Sequence, residues 1–253
     1  MRYAIISDIH ANLEALRAVL HAIEPMSADR LVCLGDIVGY YANPNECIEL
    51  VRDRAMACVR GNHDSVAAGL RLPLEFSATA RRAIQWTSDV LVPANRQYLE
   101  DLSLLQVVDD ALVIVHAALH PQPNEATRIR NETDARPSLQ LLASGYPGHC
   151  VCFLGHTHHR TAYVLANGEV AKLDNDELHL DRTSAYLINP GSVGQSRDED
   201  PSASFLIYDS ELRIVQFHRI NYDHATARSK AVAQGLIRRP HLVMRTLRWL
   251  ATG

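Results

Sequence analysis

The stretch Tyr3-Ala-Ile-Ile-Ser-Asp-Ile-His10 is a short apolar run that ends in an acid and an imidazole. The same design recurs in Leu31-Val-Cys-Leu-Gly-Asp36 and again in Met56-Ala-Cys-Val-Arg-Gly-Asn-His-Asp64. Short apolar runs closed by glycine and polar residues read as buried strands. Between the first two, Asn12 is a candidate N-cap ahead of Leu13, Leu16, Leu20 and Ile23 at helical spacing. Between the second and third, Asn43-Pro44-Asn45-Glu46 starts another helix, with proline at N1 and glutamate at N3. A βαβαβ order of this kind implies parallel strands joined by right-handed crossovers.

Outward from that unit, the segment from about Ser65 to Leu105 reads as a helical insertion. Ser77 caps one helix running through Asp89, and Pro93 opens another through Leu102. Strands return at Leu112–Val115, Val151–Leu154, Tyr186–Ile188, Phe205–Tyr208 and Ile214–Phe217. The later ones are separated only by turns, which predicts antiparallel sheet there. Pro121–Pro147 reads as a polar, irregular loop over the site, and C-terminal helices are expected over about 222–250, with Pro240 opening the last. The expectation is an α/β (α+β) fold spanning 1–253 as one domain, with two packed mixed sheets flanked by helices.

Composition narrows the function. At 253 residues and 47% hydrophobic, the chain has apolar material for a substantial core. A formal net charge of −4 gives no electrostatic case for a nucleic-acid or membrane partner. None of the five cysteines forms a C-x-x-C pair, and Cys33, Cys58, Cys150 and Cys152 read as small buried hydrophobes of a reducing compartment. The chain opens directly on a strand and lacks an apolar run of the ~20 residues a membrane helix needs, so a cytoplasmic location without a signal peptide is expected.

The chemistry gathers at strand ends. Asp8-Ile-His10, Gly35-Asp36, Gly61-Asn62-His63-Asp64, His116 and Gly155-His-Thr-His158 each follow an apolar run. Ligands of open α/β sheets bind beyond the carboxyl ends of the strands, so residues spread over about 150 positions can meet there. Aspartate and asparagine oxygens with imidazole nitrogens suit borderline divalent ions, namely Mn, Fe, Zn, Co or Ni. In Asp-x-His and His-x-His, the i, i+2 spacing turns both side chains the same way in an extended segment. Asp8, His10, Asp36, Asn62, His116, His156 and His158 are too many donors for one ion and suit two ions sharing a carboxylate.

Together, and in this order, these motifs are similar to the signature of the calcineurin-like metallophosphoesterases, over residues 1 to about 220. Gly35-Asp-Ile-Val-Gly-Tyr40, Asn43-Pro-Asn-Glu46 and Asn189-Pro-Gly-Ser-Val-Gly-Gln195 resemble its small bacterial and archaeal phosphodiesterase branch. The resemblance implies a four-layer sandwich and two divalent ions, with Mn favoured. It gives Asp8, His10 and His158 to one ion, Asn62, His116 and His156 to the other, and Asp36 to both. It further implies that a hydroxide shared by ions roughly 3.5–4 Å apart attacks phosphorus in line. His63 is then the proton donor to the leaving oxygen; its alternative is a residue that only orients the loop.

Two departures stand out. Protein phosphatases and dinucleoside tetraphosphatases of this superfamily carry Gly-Asp-x-x-Asp-Arg-Gly, whereas this chain has Gly39 and Tyr40 where the second Asp and the Arg stand. Phosphoprotein and dinucleoside polyphosphate substrates are thereby demoted, and His63 lacks its usual orienting carboxylate. After His116 the chain reads Ala117-Ala118-Leu119-His120-Pro121 in place of His-Gly-Ser-Pro. Asn12, Arg60 and His120 are candidate substrate contacts, and Arg197 is one on charge alone. Asn189–Gln195 is either an anion-binding backbone or a tight turn. The expected function is a metal-dependent phosphodiesterase acting on a small phosphate ester; the alternatives are a phosphomonoesterase or nucleotide phosphatase, and an inactive binding relative.

Overall fold

Residues 1–237 are described by the computed structural model. In β1 (Arg2–Ile6), successive side chains serve two different interiors. Tyr3 and Ile5 pack toward a second sheet, while Ala4 and Ile6 pack toward helices. The alternation is the period of two that a strand imposes, and both faces are buried, so the sequence reads as continuously apolar. Helix α1 (Leu13–Ile23) follows, with the Asn12 side chain accepting the Ala15 N–H at 3.2 Å as its cap. Next come β2 (Arg30–Cys33), α2 (Pro44–Asp53) and the two-residue β3 (Ala57–Cys58). The Asn43 side chain does not cap the backbone of α2; it donates instead to the Glu46 carboxylate at 2.8 Å.

The helical insertion contains α3 (Asn62–Ala68), α4 (Ala78–Val90) and α5 (Pro93–Asp101). Ser77 caps α4 through the Ala80 N–H, as its position predicts. The chain continues through β4 (Leu105–Val108), β5 (Leu112–Val115), α6 (Glu132–Gly145), β6 (Val151–Phe153), β7 (Arg160–Ala166), β8 (Glu169–Leu173), β9 (Glu177–His179) and β10 (Ala185–Pro190). It then forms β11 (Ala203–Asp209), β12 (Ile214–Ile220) and α7 (His224–Ala233). The helix expected from Pro240 lies outside the described residues.

One sheet has the order β3-β2-β1-β11-β12-β9 and the other β4-β5-β6-β10-β7-β8. In the first, β1, β2 and β3 are parallel, and β11, β12 and β9 continue it antiparallel. In the second, β5, β6 and β10 are parallel. Tyr3, Ile5, Leu34, Phe153, Ile188 and Tyr208 fill the space between the sheets. Leu16, Val19 and Ile48 pack helices on the outer side of the first sheet, and Leu139 and Leu142 pack α6 on the outer side of the second. These are the four layers of the expected sandwich.

The loop expected over Pro121–Pro147 is mostly helix. Asn131 caps α6 by accepting the Asp134 N–H at 2.9 Å. Pro137 lies inside it and removes the N–H that would bond the Thr133 carbonyl, which masks the helix in sequence. Burial of Ala135, Leu139 and Leu142 against the sheet overrides that local loss. Among the cysteines, Cys33, Cys47, Cys58 and Cys152 are buried. Cys150 is only partly so and accepts a hydrogen bond from Arg213. No described helix is long and apolar enough to cross a membrane.

Candidate metal centre

The parallel portions of both sheets point their carboxyl ends at one edge, and the chain reverses sharply there. Asp8, His10, Asp36, His156 and His158 have φ between 51° and 67°, the left-handed region. Each such non-glycine residue costs about 1–3 kcal/mol, and clusters of them occur where structure is bent to a chemical purpose. Here the bend aims the side chains inward. Asp8, His10 and His116 are completely buried, and Asp36, Asn62, His156 and His158 are nearly so.

Two groups of donors result. Asp8, His10, Asp36 and His158 converge on one point, and Asp36, His116 and His156 on another. Asp36 belongs to both. Asn62 joins the second group, its Oδ1 lying 2.9 Å from His156 Nδ1 and 3.3 Å from His116 Nε2. Each carboxylate divides its oxygens. Asp8 Oδ2 accepts from the Ser7 hydroxyl at 2.7 Å and the His156 N–H at 3.1 Å, while Oδ1 faces His158 Nε2 at 3.4 Å. Asp36 Oδ1 accepts the His63 N–H at 2.8 Å, while Oδ2 faces His116 Nε2 at 3.5 Å and His10 Nε2 at 3.7 Å.

Hydrogen bonds to carbonyls fix three imidazoles. His10 Nδ1 donates to Val38 O at 3.1 Å, His116 Nδ1 to Leu34 O at 2.7 Å and His158 Nδ1 to Gln195 O at 2.7 Å. A carbonyl cannot donate, so each Nδ1 carries a hydrogen and each Nε2 faces inward, with a lone pair to offer whenever the ring is neutral. His10 Nε2 and His158 Nε2 face each other at 3.0 Å. Burial pushes both of these imidazoles well below their usual pKa, so both are neutral. Two lone pairs so close repel unless a cation lies between them. Donors about 2.1 Å from one ion, at tetrahedral to octahedral angles, stand roughly 3.0–3.5 Å apart. The separations around His158 match those edges, so the residues fit a divalent ion.

The charges lead the same way. Burial pushes the Asp8 carboxyl up to about 7. Burial also opposes ionisation of Asp36, but His116, His63 and His10 outweigh it and hold its pKa well down. Burial disfavours a charged His116, yet Asp36 raises it to about 10. This packed, buried cluster holds two carboxylates against one favoured imidazolium, an arrangement that a bound cation relieves. Backbone approach is equally tight. A Cβ on Gly155 would stand 1.9 Å from Ser7 Oγ and 2.7 Å from Asp8 Oδ2.

His63 lies beside this cluster on the wall of a cleft of about 810 Å³ that Asp36, Asn62, His156 and His158 also line. Its Nδ1 is buried without a hydrogen-bond partner among the described residues. Gly39 explains why the usual carboxylate is missing: with φ +94°, its own Cβ would sit 2.4 Å from that Nδ1. Rings take over the positioning. Phe76 lies 4.4 Å and Tyr40 4.8 Å from the imidazole, each tilted by about a third of a right angle, and His10 meets it edge-on at 4.8 Å. Asp64 is turned away, accepting the N–H groups of Val38 and Gly61.

Three expected substrate contacts lie elsewhere. Asn12 spends its amide on Gly194 O and Tyr222 as well as on its cap, leaving nothing for a phosphoryl oxygen. Arg60 donates to Ser65 and to the carbonyls of Glu100 and Leu102, tying α3 to the end of α5. His120 is exposed and does not line the cleft. The Asn189–Gln195 segment is a tight turn whose N–H groups are consumed internally: Val193 and Gly194 donate to the carbonyls of Ser7 and Asp8. Its role is to brace the Asp8 backbone, reinforced by the Ser192 hydroxyl on Asp8 O at 2.9 Å. Arg197 does line the cleft, as do Arg128 and Arg130, which sequence reading passed over. The signal was there: in Arg128-Ile129-Arg130 the central side chain is buried and its neighbours are exposed.

With this geometry in hand, the chain belongs to the calcineurin-like phosphoesterase superfamily, whose domain model matches residues 1–212. Among solved structures it is similar to a metallophosphoesterase from Sphaerobacter thermophilus, at 37% identity and a TM-score of 0.77, covering 94% of this chain and 95% of that one. The fold is shared with protein PH1004 of Pyrococcus horikoshii OT3, at 19% identity and a TM-score of 0.76, over 94% of both chains. By sequence it is 36% identical over 243 residues to the uncharacterized protein MJ0912 of Methanocaldococcus jannaschii, covering 92% of this chain and 93% of that protein.

Proposed function

We propose that this chain is a phosphodiesterase that works with two divalent ions, Mn foremost, on a small phosphate ester. The observation that carries the reading is the pair of neutral imidazoles, His10 and His158, facing each other lone pair to lone pair at 3.0 Å. Asp36, shared by both donor groups, supports a count of two ions. Ions bound there would lower the pKa of water toward neutrality and draw charge from the phosphoryl oxygens.

The protein's own contribution is placement. Carbonyls of Val38, Leu34 and Gln195 hold three imidazoles with Nε2 inward, so the rings need not turn on binding. His63 presents an imidazole N–H from the cleft wall to the leaving oxygen, held by the Phe76 and Tyr40 rings. The cleft suits a small ester better than a folded phosphoprotein, and Tyr40 stands where phosphoprotein phosphatases keep their arginine.

The test is direct. Protein loaded with Mn should carry close to two ions per chain and hydrolyse bis-p-nitrophenyl phosphate faster than p-nitrophenyl phosphate. Absence of hydrolysis of both esters with Mn, Fe, Ni, Co and Zn in turn would sink the reading; a faster monoester would move it to a phosphomonoesterase.

A further inference from the structure

Although the chain as a whole is acidic, the outer part of the cleft is not. Arg128, Arg130 and Arg197 line both the main cleft and a second cavity of about 340 Å³ that opens beside it. Thr157, His159 and Lys172 complete the polar wall of that cavity. The three arginines form no ion pair among the described residues, whereas the nearby carboxylates are already engaged. Asp198 is held by Arg219 and His159, Asp174 by Lys172, and Glu75 by Arg71. Asp134, on the cleft wall, accepts the Arg130 N–H at 3.0 Å, a backbone contact that leaves the guanidinium free.

Unpaired guanidiniums converging on one cavity repel one another, and a phosphate relieves that repulsion through paired N–H donors. Ions held by the Asp36-centred donors would supply the electrophile for the scissile phosphoryl group, so these arginines exceed what that group needs. The adjoining cavity also gives them a place to act away from it. Arg128 and Arg197 share the main cleft with Tyr40, His63, His156 and His158. The cationic wall therefore begins beside the reacting centre and runs outward.

We infer that the second cavity is a subsite for a second phosphate, so that the substrate is a small ester carrying one phosphate at the metal cluster and another between Arg128, Arg130 and Arg197. This rests on the phosphodiesterase reading and adds to it a class of substrate, a small phosphodiester that carries a second phosphate, such as a nucleotide whose phosphate at one sugar position is the diester and whose other sugar position bears a phosphomonoester. A cavity of about 340 Å³ matches a small molecule in size.

Thymidine 5′-(p-nitrophenyl phosphate) and its 3′-phosphorylated counterpart share one scissile bond and one leaving group, and differ only in the second phosphate. In the Mn-loaded protein, kcat/KM should be at least tenfold higher for the 3′-phosphorylated ester. The Arg128→Gln/Arg130→Gln variant should bring that ratio to within about twofold of one, with Arg197→Gln reducing it alone. Equilibrium binding of thymidine 3′,5′-bisphosphate against thymidine 5′-phosphate should show the same loss without turnover. A wild-type ratio near one overturns the subsite. So does a variant that slows both esters equally, which would place the arginines on the scissile phosphate. Faster cleavage of a thymidine oligonucleotide than of either ester overturns the small-molecule class. Failure of the protein to cleave bis-p-nitrophenyl phosphate strikes the parent reading instead, so the two failures are separable.

Discussion

At the floor of the cleft, Asp8, His10, Asp36, His116 and His158 are buried, all but His116 have a left-handed backbone, and the three imidazoles are tied to carbonyls by hydrogen bonds. At its rim, Arg128, Arg130 and Arg197 are exposed and unpaired, and Phe76 is half-buried. The floor is pre-organised by the two sheets and cannot adjust without moving a strand end. The rim is carried by loops and short helical termini, where side chains can reorganise around a ligand at little cost. The proposed chemistry thus rests on the floor and the proposed substrate selection on the rim.

Breaking the floor should have the largest effect. Asp36→Asn replaces the carboxylate common to both groups with a neutral amide, whose oxygen can still accept the His63 N–H. Activity should fall roughly a thousandfold, equivalent to about 4 kcal/mol of transition-state stabilisation. Elemental analysis should show fewer than two ions per chain; retention of both ions with full activity would remove Asp36 from the centre.

A change where floor meets rim should have an intermediate effect and a distinct signature. Phe76→Ala withdraws a ring from His63, whose Nδ1 has no hydrogen bond to hold it. Proton donation matters most when the leaving oxygen is basic. The kcat for a phenyl ester should therefore fall about tenfold, and that for the p-nitrophenyl ester by much less. An equal loss on both would show Phe76 to be packing alone.

The smallest effect belongs to neither region. Asp181 accepts from the Tyr186 hydroxyl, the Thr183 hydroxyl and N–H, and the Ser184 N–H. These bonds, that to Tyr186 foremost, hold its carboxyl well below the usual range. A depressed folded-state pKa contributes stability above the unfolded value near ~3.9 and loses it as pH falls through the folded value. Asp181→Asn should therefore be less stable than wild type at pH 7, and chemical unfolding should show the gap closing below about pH 4. Because the side chain is exposed, the gap should be small and the activity on bis-p-nitrophenyl phosphate unchanged.

The floor was legible because its residues obey local rules. Asp8, Asp36 and His116 each close an apolar run, and the parallel order implied by βαβ spacing brings those ends to one edge. The rim was harder to read for equally physical reasons. Phe76 meets His63 across a helical insertion that no periodicity places in space. Arg128 and Arg130 precede a helix whose interior Pro137 makes it look like loop. Arg60 was misplaced because charge says nothing of direction; its guanidinium is drawn to the bare carbonyls at the end of α5.

By itself the sequence determined the strands and the candidate donors at their ends, since strand period, cap residues and ligand chemistry are local properties, and the order of its motifs carried the resemblance to the family and its layered sheets. Only the tertiary structure decided that Asp36 lies in both donor groups and that His10 Nε2 and His158 Nε2 face each other at 3.0 Å. It likewise decided that Gly39 leaves His63 to aromatic rings and that three arginines share a second cavity. Each of these depends on distances between segments far apart in the chain, which packing fixes and local pattern does not.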